Sequence, residues 1–197
     1  MLKLQISEIS KVCSCPLPPS AEAYAEAVSG IARRERRAGM AVLCSLLEEV
    51  GVLDFNLETD GVGKPFLTDS PYFFNISHSG DFCAAVLSDN PVGIDLQTLG
   101  GVNRIRDMNA FAKRFFSPDE LELFLKKPTR EELCALWTRK EALSKLLGRR
   151  LCESLSELSS LDFFGVDFET KRLELKEVFY LTVAVRQERI IRTRPKA

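Results

Sequence analysis

The spacing of the apolar residues changes along the chain, and it constrains the fold more than any other feature. After Ser29-Gly30 an amphipathic helix is predicted to run to Gly51, because apolar residues recur at i, i+3, i+4 and i+7, namely Leu43, Leu46, Leu47 and Val50. From Gly61 to Gln97 the pattern changes to short apolar runs between turns. This part predicts strands at YFFNIS, FCAAVLS and VGIDLQ.

The second half repeats this change of period. Helices are predicted in RDMNAFAKRFF, in SPDELELFL and in REELCALWTRKEALSKLLG, which closes at Gly148. Strands are then predicted in LDFFGVDFE, RLELKEV and YLTVAVRQE. Helix followed by sheet, twice over, predicts an α+β fold of two α/β lobes. We place the lobes at residues 1–90 and 91–197, with the metal-binding motifs in the second.

Charge and composition narrow the function classes. With 27 basic and 28 acidic residues, the chain has no general field to attract nucleic acid or an anionic membrane. The N-terminal MLKLQISEIS lacks a signal-peptide core, and no run reaches 18 apolar residues, so we expect a cytoplasmic protein. Six cysteines without a CxxC pair, together with one histidine, match no familiar zinc pattern.

Two basic features are candidates for anion binding. The stretch RRERR places Arg33, Arg34, Arg36 and Arg37 within five residues. Guanidinium groups bind phosphate oxygens in a bidentate manner, although a solvated helix face is an equally good interpretation. The only histidine, His78, lies in NISHSG, where hydroxyls and a glycine turn suit a phosphate. A structural histidine is the alternative. No GxSxG motif accompanies it, so serine hydrolase chemistry is not favoured.

Two other segments offer metal and phosphate ligands. Asp95 and Gln97 alternate on one face of the strand VGIDLQ, where a buried carboxylate needs a partner and Mg²⁺ would be one. The alternative is an aspartate that caps a turn. Trp137, Glu141 and Lys145 form one stripe of a helix. An exposed Glu-Lys pair is common there, but together with Asp95 the set fits phosphoryl chemistry.

Five motifs in a fixed order resemble those of the 4'-phosphopantetheinyl transferases of the surfactin-synthetase-activating type. They are GKPF at 63–66, FNISHSGD at 74–81, VGIDLQ at 92–97, FFSPDE at 115–120 and LWTRKEALSKLLG at 136–148. The resemblance implies two similar α/β lobes related by pseudo-twofold symmetry, with coenzyme A and Mg²⁺ in the cleft between them. It also implies attack by a serine of an apo acyl or peptidyl carrier protein on the β-phosphate, with release of 3',5'-ADP.

The resemblance also implies a role for each matching residue. Metal ligands are expected at Asp95, Gln97 and Glu141, although many relatives have an acid where this chain has Gln97. Catalytic roles are expected for Glu120, Glu141 and Lys145, with Glu120, or Glu141 through a water, as the base. Coenzyme A is expected to contact Arg33 or Arg37 of the arginine cluster, Lys64, Ser77, His78 and Lys145.

Two other functions stay open. The neutral Gln97 would suit a module that binds coenzyme A or a carrier protein without transfer, and an unrelated Mg²⁺-dependent phosphodiesterase would hydrolyse coenzyme A without an acceptor. Which carrier is used, whether acyl-coenzyme A is accepted and which carboxylate is the base are also open. Because one chain holds both lobes, we expect a monomer.

Overall fold

The structure, a computed structural model, describes residues 1–61, 63–149 and 155–187. Its strands are β1 (Leu2–Glu8), β2 (Asn56–Thr59), β3 (Pro65–Thr68), β4 (Phe73–Ser79), β5 (Phe82–Ser88), β6 (Val92–Thr98), β7 (Val166–Glu174) and β8 (Val178–Arg186). Its helices are α1 (Ile9–Val12), α2 (Pro19–Glu26), α3 (Gly30–Glu48), α4 (Leu99–Val102), α5 (Met108–Phe115), α6 (Pro118–Lys126) and α7 (Arg130–Leu146). A 3-10 turn spans Leu155–Glu157.

Two three-stranded antiparallel sheets have the same strand order. In the first, β5 pairs with β1 and β4 on either side, and in the second, β8 pairs with β6 and β7. In each, the first strand leads through helices to a hairpin whose second strand inserts at the centre of the sheet. The mixed α and β fold with two similar units is therefore confirmed, whereas the lobe boundaries at residues 90 and 91 stay a prediction.

Strand β5 shows why its sequence is apolar throughout. Its residues Cys83, Ala85 and Leu87 pack with the buried residues of α3. The alternate residues, Phe82, Ala84 and Val86, pack with β6 and β8 of the second sheet. Because both faces are covered, the strand has no solvent side that would require polar residues.

The two sheets also meet along a polar seam. Three side chains from alternate positions of β4 accept backbone N–H groups of β6: Asn75 from Ile94 at 3.1 Å, Ser77 from Leu96 at 3.1 Å and Ser79 from Thr98 at 2.9 Å. Strand β6 is an edge strand of its own sheet. The β4 side chains thus accept hydrogen bonds from β6 N–H groups that would otherwise pair with the carbonyl groups of a neighbouring strand.

Three features differ from the sequence analysis. The sequence patterns indicated neither β1 nor the β2–β3 hairpin. They predicted three strands after residue 160, where the described residues up to 187 contain two. Residues of LDFF form bends and turns, and VDFE continues directly into RLE within β7. No helix in the described ranges has both the length and the apolar character needed to cross a bilayer.

Candidate active site

A cleft of about 290 Å³ lies where α3, the β2–β3 turn, β4 and the end of α7 meet. Its lining is strongly cationic, with Arg36, Lys64, His78, Lys145 and Arg149. Glu35 is the one carboxylate among the described residues that line it. A cleft with this balance of charge suits an anionic ligand such as a nucleotide phosphate.

Lys64 and His78 are held at the cleft by local contacts. The Lys64 ammonium donates a hydrogen bond to the backbone carbonyl of Lys145 at 2.7 Å, and burial lowers the pKa of Lys64. The His78 Nδ1 atom lies 3.5 Å from a carboxylate oxygen of Glu35. The strand β4 brings His78 to the cleft, so both residues line it, and their contact with a phosphate stays a prediction.

Asp95 is 2% exposed and contacts Lys145, one of the residues that line the cleft. One of its oxygens, Oδ1, accepts a hydrogen bond from the Lys145 ammonium at 2.7 Å and another from the Ser77 hydroxyl at 3.0 Å. Lys145 also donates to the Ser77 hydroxyl oxygen at 2.9 Å. The three side chains come from α7, β4 and β6, so only the assembled seam creates the cluster.

The second oxygen of Asp95 is buried, and no N–H or hydroxyl group in the described part of the chain bonds it. Beside it, burial, the charge of Asp95 and hydrogen bonding with Asp95 raise the pKa of Glu141 to about 9, against the lowering effect of Lys145. Two carboxylates in a buried space with one unpaired oxygen are unfavourable without a cation. The oxygen donors present fit a divalent ion such as Mg²⁺.

Gln97 is half-buried on the same face of β6 as Asp95. Its amide nitrogen lies 2.7 Å from the place that a β-carbon on Gly101 would occupy. Within the described ranges, no three histidine, cysteine, aspartate or glutamate side chains form a metal-binding group. The structure thus brings together Asp95 and Glu141, and Gln97 as a ligand stays a prediction.

The arginines are distributed differently from the expectation. Arg33 pairs with Glu26 at 2.6 Å, and Arg37 pairs with Glu22 and donates to the carbonyl oxygens of Cys13 and Cys15. Neither is among the residues lining the cleft.

The arginine of the 33–37 cluster that lines the cleft is Arg36, whereas Arg33 and Arg37 were the expected contacts. It donates to the Tyr24 carbonyl at 3.1 Å, and its guanidinium lies 4.5 Å from the centre of the Tyr24 ring. A signal for it exists in the sequence: Arg36 is four residues before Met40, on the face of α3 that becomes buried.

Glu120 does not lie in the cleft, and it is fully buried. One oxygen accepts from the Ser160 backbone and hydroxyl at 2.7 and 2.6 Å, and the other from the Ser117 N–H at 2.8 Å and from the Lys140 ammonium. It completes a capping box at the start of α6. Because donors occupy both oxygens, this placement does not support Glu120 as the base.

Ser77 also differs from the expectation that it contacts a phosphate of the nucleotide. Its side chain is almost completely buried, and its hydroxyl is engaged with Asp95, Lys145 and the Leu96 N–H. The structure therefore places Ser77 with the carboxylate cluster, behind the cleft surface on which His78 is exposed.

Comparisons with known proteins agree with the character of this site. Residues 91–190 match a family model described as the 4'-phosphopantetheinyl transferase superfamily. The 4'-phosphopantetheinyl transferase psf-1 of Bacillus pumilus is 38% identical over 107 residues, which cover 52% of this chain and 44% of that protein. The 4'-phosphopantetheinyl transferase AcpT of Salmonella typhi is 31% identical over 167 residues, 82% of each chain. Sfp of Bacillus subtilis strain 168, also named a 4'-phosphopantetheinyl transferase, is 34% identical over 54% of this chain and 47% of its own.

Proposed function

Because the chain belongs to the 4'-phosphopantetheinyl transferase superfamily, we propose that it transfers the 4'-phosphopantetheine arm of coenzyme A to a serine of an apo carrier protein. The observation that carries this proposal is the buried Asp95, with one oxygen that no N–H or hydroxyl group of the described residues bonds, next to the half-buried Glu141 and beside a cleft rich in basic residues. Phosphoryl transfer needs both parts, since one set of charges must bind the phosphates and another must bind the metal ion.

Within this proposal, the cleft cations bind the nucleotide phosphates. Arg36, Lys64 and His78 lie on its surface and can neutralise anionic oxygens. Lys145 has three N–H donors, of which Asp95 and Ser77 accept two, so one is left for a phosphate oxygen. Its position links the cleft to the carboxylates.

Mg²⁺ would be held by Asp95 and Glu141, and when bound it would neutralise charge on the diphosphate. The serine oxygen of the carrier would form a bond to the β-phosphorus of coenzyme A, and the bond to the leaving 3',5'-ADP would break. The serine proton must be accepted. We assign this role to Glu141, through a water, because Glu120 is buried among its own donors.

The test mixes the protein with coenzyme A, Mg²⁺ and an apo carrier protein, and measures the carrier by mass spectrometry. We expect the mass to increase by one phosphopantetheine arm. Asp95→Asn and Glu141→Gln should abolish the increase, whereas the control Glu122→Gln, an exposed helical residue paired with Lys126, should not change it. Full activity of both site variants would refute the metal assignment.

Two results would favour the other functions. Binding of coenzyme A without any mass increase, across a panel of fatty acid, polyketide and peptide carriers, would indicate a binding module, for which the neutral Gln97 is the supporting feature. Release of 3',5'-ADP without an acceptor would indicate a phosphodiesterase. We also propose lobe boundaries near residue 90, a cytoplasmic location and a monomeric state. Sedimentation of the purified protein would test the monomeric state.

A further inference from the structure

Ser77 occupies the middle position of the seam between the two sheets. Asn75, Ser77 and Ser79 each accept one N–H of β6, so all three contribute in the same way to joining the sheets. Only Ser77 has further side-chain partners in the described carboxylate cluster, Asp95 and Lys145. All three residues therefore share a structural role in joining the sheets. Ser77 alone has, in addition, contacts with the carboxylate cluster.

The hydroxyl of Ser77 has no free hydrogen-bonding capacity. A serine hydroxyl has two acceptor positions and one donor. The Leu96 N–H at 3.1 Å and the Lys145 ammonium at 2.9 Å use the acceptor positions. Its single O–H must then be donated to Oδ1 of Asp95, 3.0 Å away. The burial of Ser77, which is 3% exposed, excludes water as a competing partner.

These contacts determine how the Asp95 carboxylate is turned. Both donors, Ser77 and Lys145, bind Oδ1, while Oδ2 is buried and no N–H or hydroxyl group in the described residues bonds it. Glu141 lies next to Asp95. A carboxylate held at one oxygen presents the other in a defined direction, and such orienting contacts commonly change metal affinity by about 10- to 100-fold.

We propose that Ser77 is a positioning residue that orients Asp95 for a divalent cation and does not contact the nucleotide phosphates. This inference rests on the proposed function, since it concerns the metal ion of that reaction. In this proposal Ser77, on β4, acts on Asp95 of β6. The next residue, His78, is exposed and is the one that would contact a phosphate.

The experiment compares Ser77→Ala with Ser79→Ala as the matched control, since each variant removes one seam hydrogen bond of similar length. Mn²⁺ binding in the presence of coenzyme A is measured by electron paramagnetic resonance, with Mg²⁺ as competitor. We expect both variants to lose thermal stability, and Ser77→Ala to lose more, because it also removes the hydrogen bonds with Asp95 and Lys145. The Mn²⁺ dissociation constant should rise about tenfold in Ser77→Ala and stay unchanged in Ser79→Ala. The KM for Mg²⁺ should follow, with the KM for coenzyme A unchanged.

Three results would overturn the inference: an unchanged Mn²⁺ dissociation constant in Ser77→Ala, an equal rise in Ser79→Ala, or a rise in the KM for coenzyme A alone. If Ser77→Ala does not fold, Ser77→Cys, which keeps the size and only a weak donor, is measured with the same criteria. A wild-type protein that transfers the arm while Ser77→Ala binds Mn²⁺ normally refutes the inference alone. A wild-type protein that neither binds Mn²⁺ nor transfers refutes the proposed function as well.

Discussion

The two three-stranded sheets have the same strand order but carry different chemistry. The half containing the first sheet contributes cations to the cleft, with Arg36 on α3, Lys64 in the β2–β3 turn and His78 on β4. The half containing the second contributes the carboxylates, with Asp95 on β6 and Glu141 on α7. The second half also supplies the cleft cations Lys145 and Arg149, whereas the first half supplies neither Asp95 nor Glu141. The comparison shows how a repeated topology can divide the parts of one site, so that the site exists only where the sheets meet.

The two halves also achieve close helix–sheet packing in opposite ways. In the first, the glycine is on the helix: a β-carbon on Gly39 would lie 2.6 Å from Cγ2 of Ile76. In the second, the glycine is on the strand: a β-carbon on Gly93 would lie 2.1 Å from the Ala142 carbonyl oxygen and 2.6 Å from the Leu146 nitrogen. The Ile76 side chain can shift to make room for a β-carbon on Gly39, whereas the backbone of α7 can make room for one on Gly93 only if the whole helix moves.

The largest effect should come from this difference between the glycines. We expect Gly93→Ala to lose at least about 3 kcal/mol of unfolding free energy or to fail to fold, because α7 must move away from β6. Gly39→Ala should lose less, since it also gains about 1 kcal/mol of helix propensity. Urea unfolding followed by the fluorescence of Trp137, the single tryptophan, measures both. Equal losses would contradict the comparison.

A second difference concerns ion pairs. Lys140 and Glu120 form a fully buried pair in the second half, whereas Arg33 and Glu26 in the first are about half exposed. Removing one partner of a buried pair leaves an unpaired charge, so Lys140→Met should cost about 3–5 kcal/mol. Arg33→Ala should cost under about 1 kcal/mol.

The same urea titration measures these losses. Adding Glu120→Gln to Lys140→Met removes the stranded charge, and it should recover part of the lost stability. A double variant as unstable as Lys140→Met would show that the cost comes from lost packing around the lysine stem.

The arginines test which face of α3 belongs to the site. Arg36→Ala should raise the KM for coenzyme A about tenfold, since a charge-assisted contact is worth roughly 1.5–3 kcal/mol in the bound state. Arg33→Ala, whose arginine is paired with Glu26 away from the cleft, should leave this KM unchanged. Steady-state transfer at saturating carrier measures both constants. A larger rise of this KM in Arg33→Ala than in Arg36→Ala would instead assign the nucleotide contact to Arg33.

The smallest effect concerns pH and Glu141. Burial and the charge of Asp95 raise the pKa of Glu141 to about 9, so in metal-free protein the folded state binds a proton that the unfolded state has released above pH 4.5. Its contribution to stability is complete below pH 4.5 and is lost as pH rises through about 9. We therefore expect the thermal midpoint in EDTA to fall more steeply between pH 6 and pH 9 in wild type than in Glu141→Gln, by several degrees.

Excess Mg²⁺ should flatten the wild-type curve, because the cation replaces the proton at the carboxylates. Other titrating groups, including the buried Lys64, contribute equally to both proteins and cancel in the comparison. Parallel curves for wild type and Glu141→Gln would show that Glu141 is ionised near its ordinary pKa.

Much of the fold was predictable because its longest elements have strong periodicity. The stripe of leucines on α3, the closing glycine of α7 and the apolar run of β6 each identified an element correctly. The strand β1 and the β2–β3 hairpin escaped notice. Strand β1 alternates apolar and polar residues over seven positions, a pattern that indicates a strand and was missed, whereas β2 and β3 have four residues each, so their local signal is weak.

The candidate site was predictable in its residue types and only partly in its membership. Asp95, Glu141 and Lys145 were identified from spacing and resemblance, and the structure brings them together. The choice of Arg36 within the arginine cluster, the burial of Glu120 and the contact between Ser77 and Asp95 were not predicted. Each depends on what faces the residue from another element, and no pattern within one element contains that information.

The amino-acid sequence alone determined the order of helices and strands, the candidate metal ligands and the family, because periodicity and motif spacing are local properties of the chain. Only the tertiary structure decided which cations face the cleft, which carboxylate is occupied by its own donors and which serine turns Asp95. Burial and hydrogen-bond satisfaction bring together residues far apart in the chain, and they exist only after the two sheets have packed against each other.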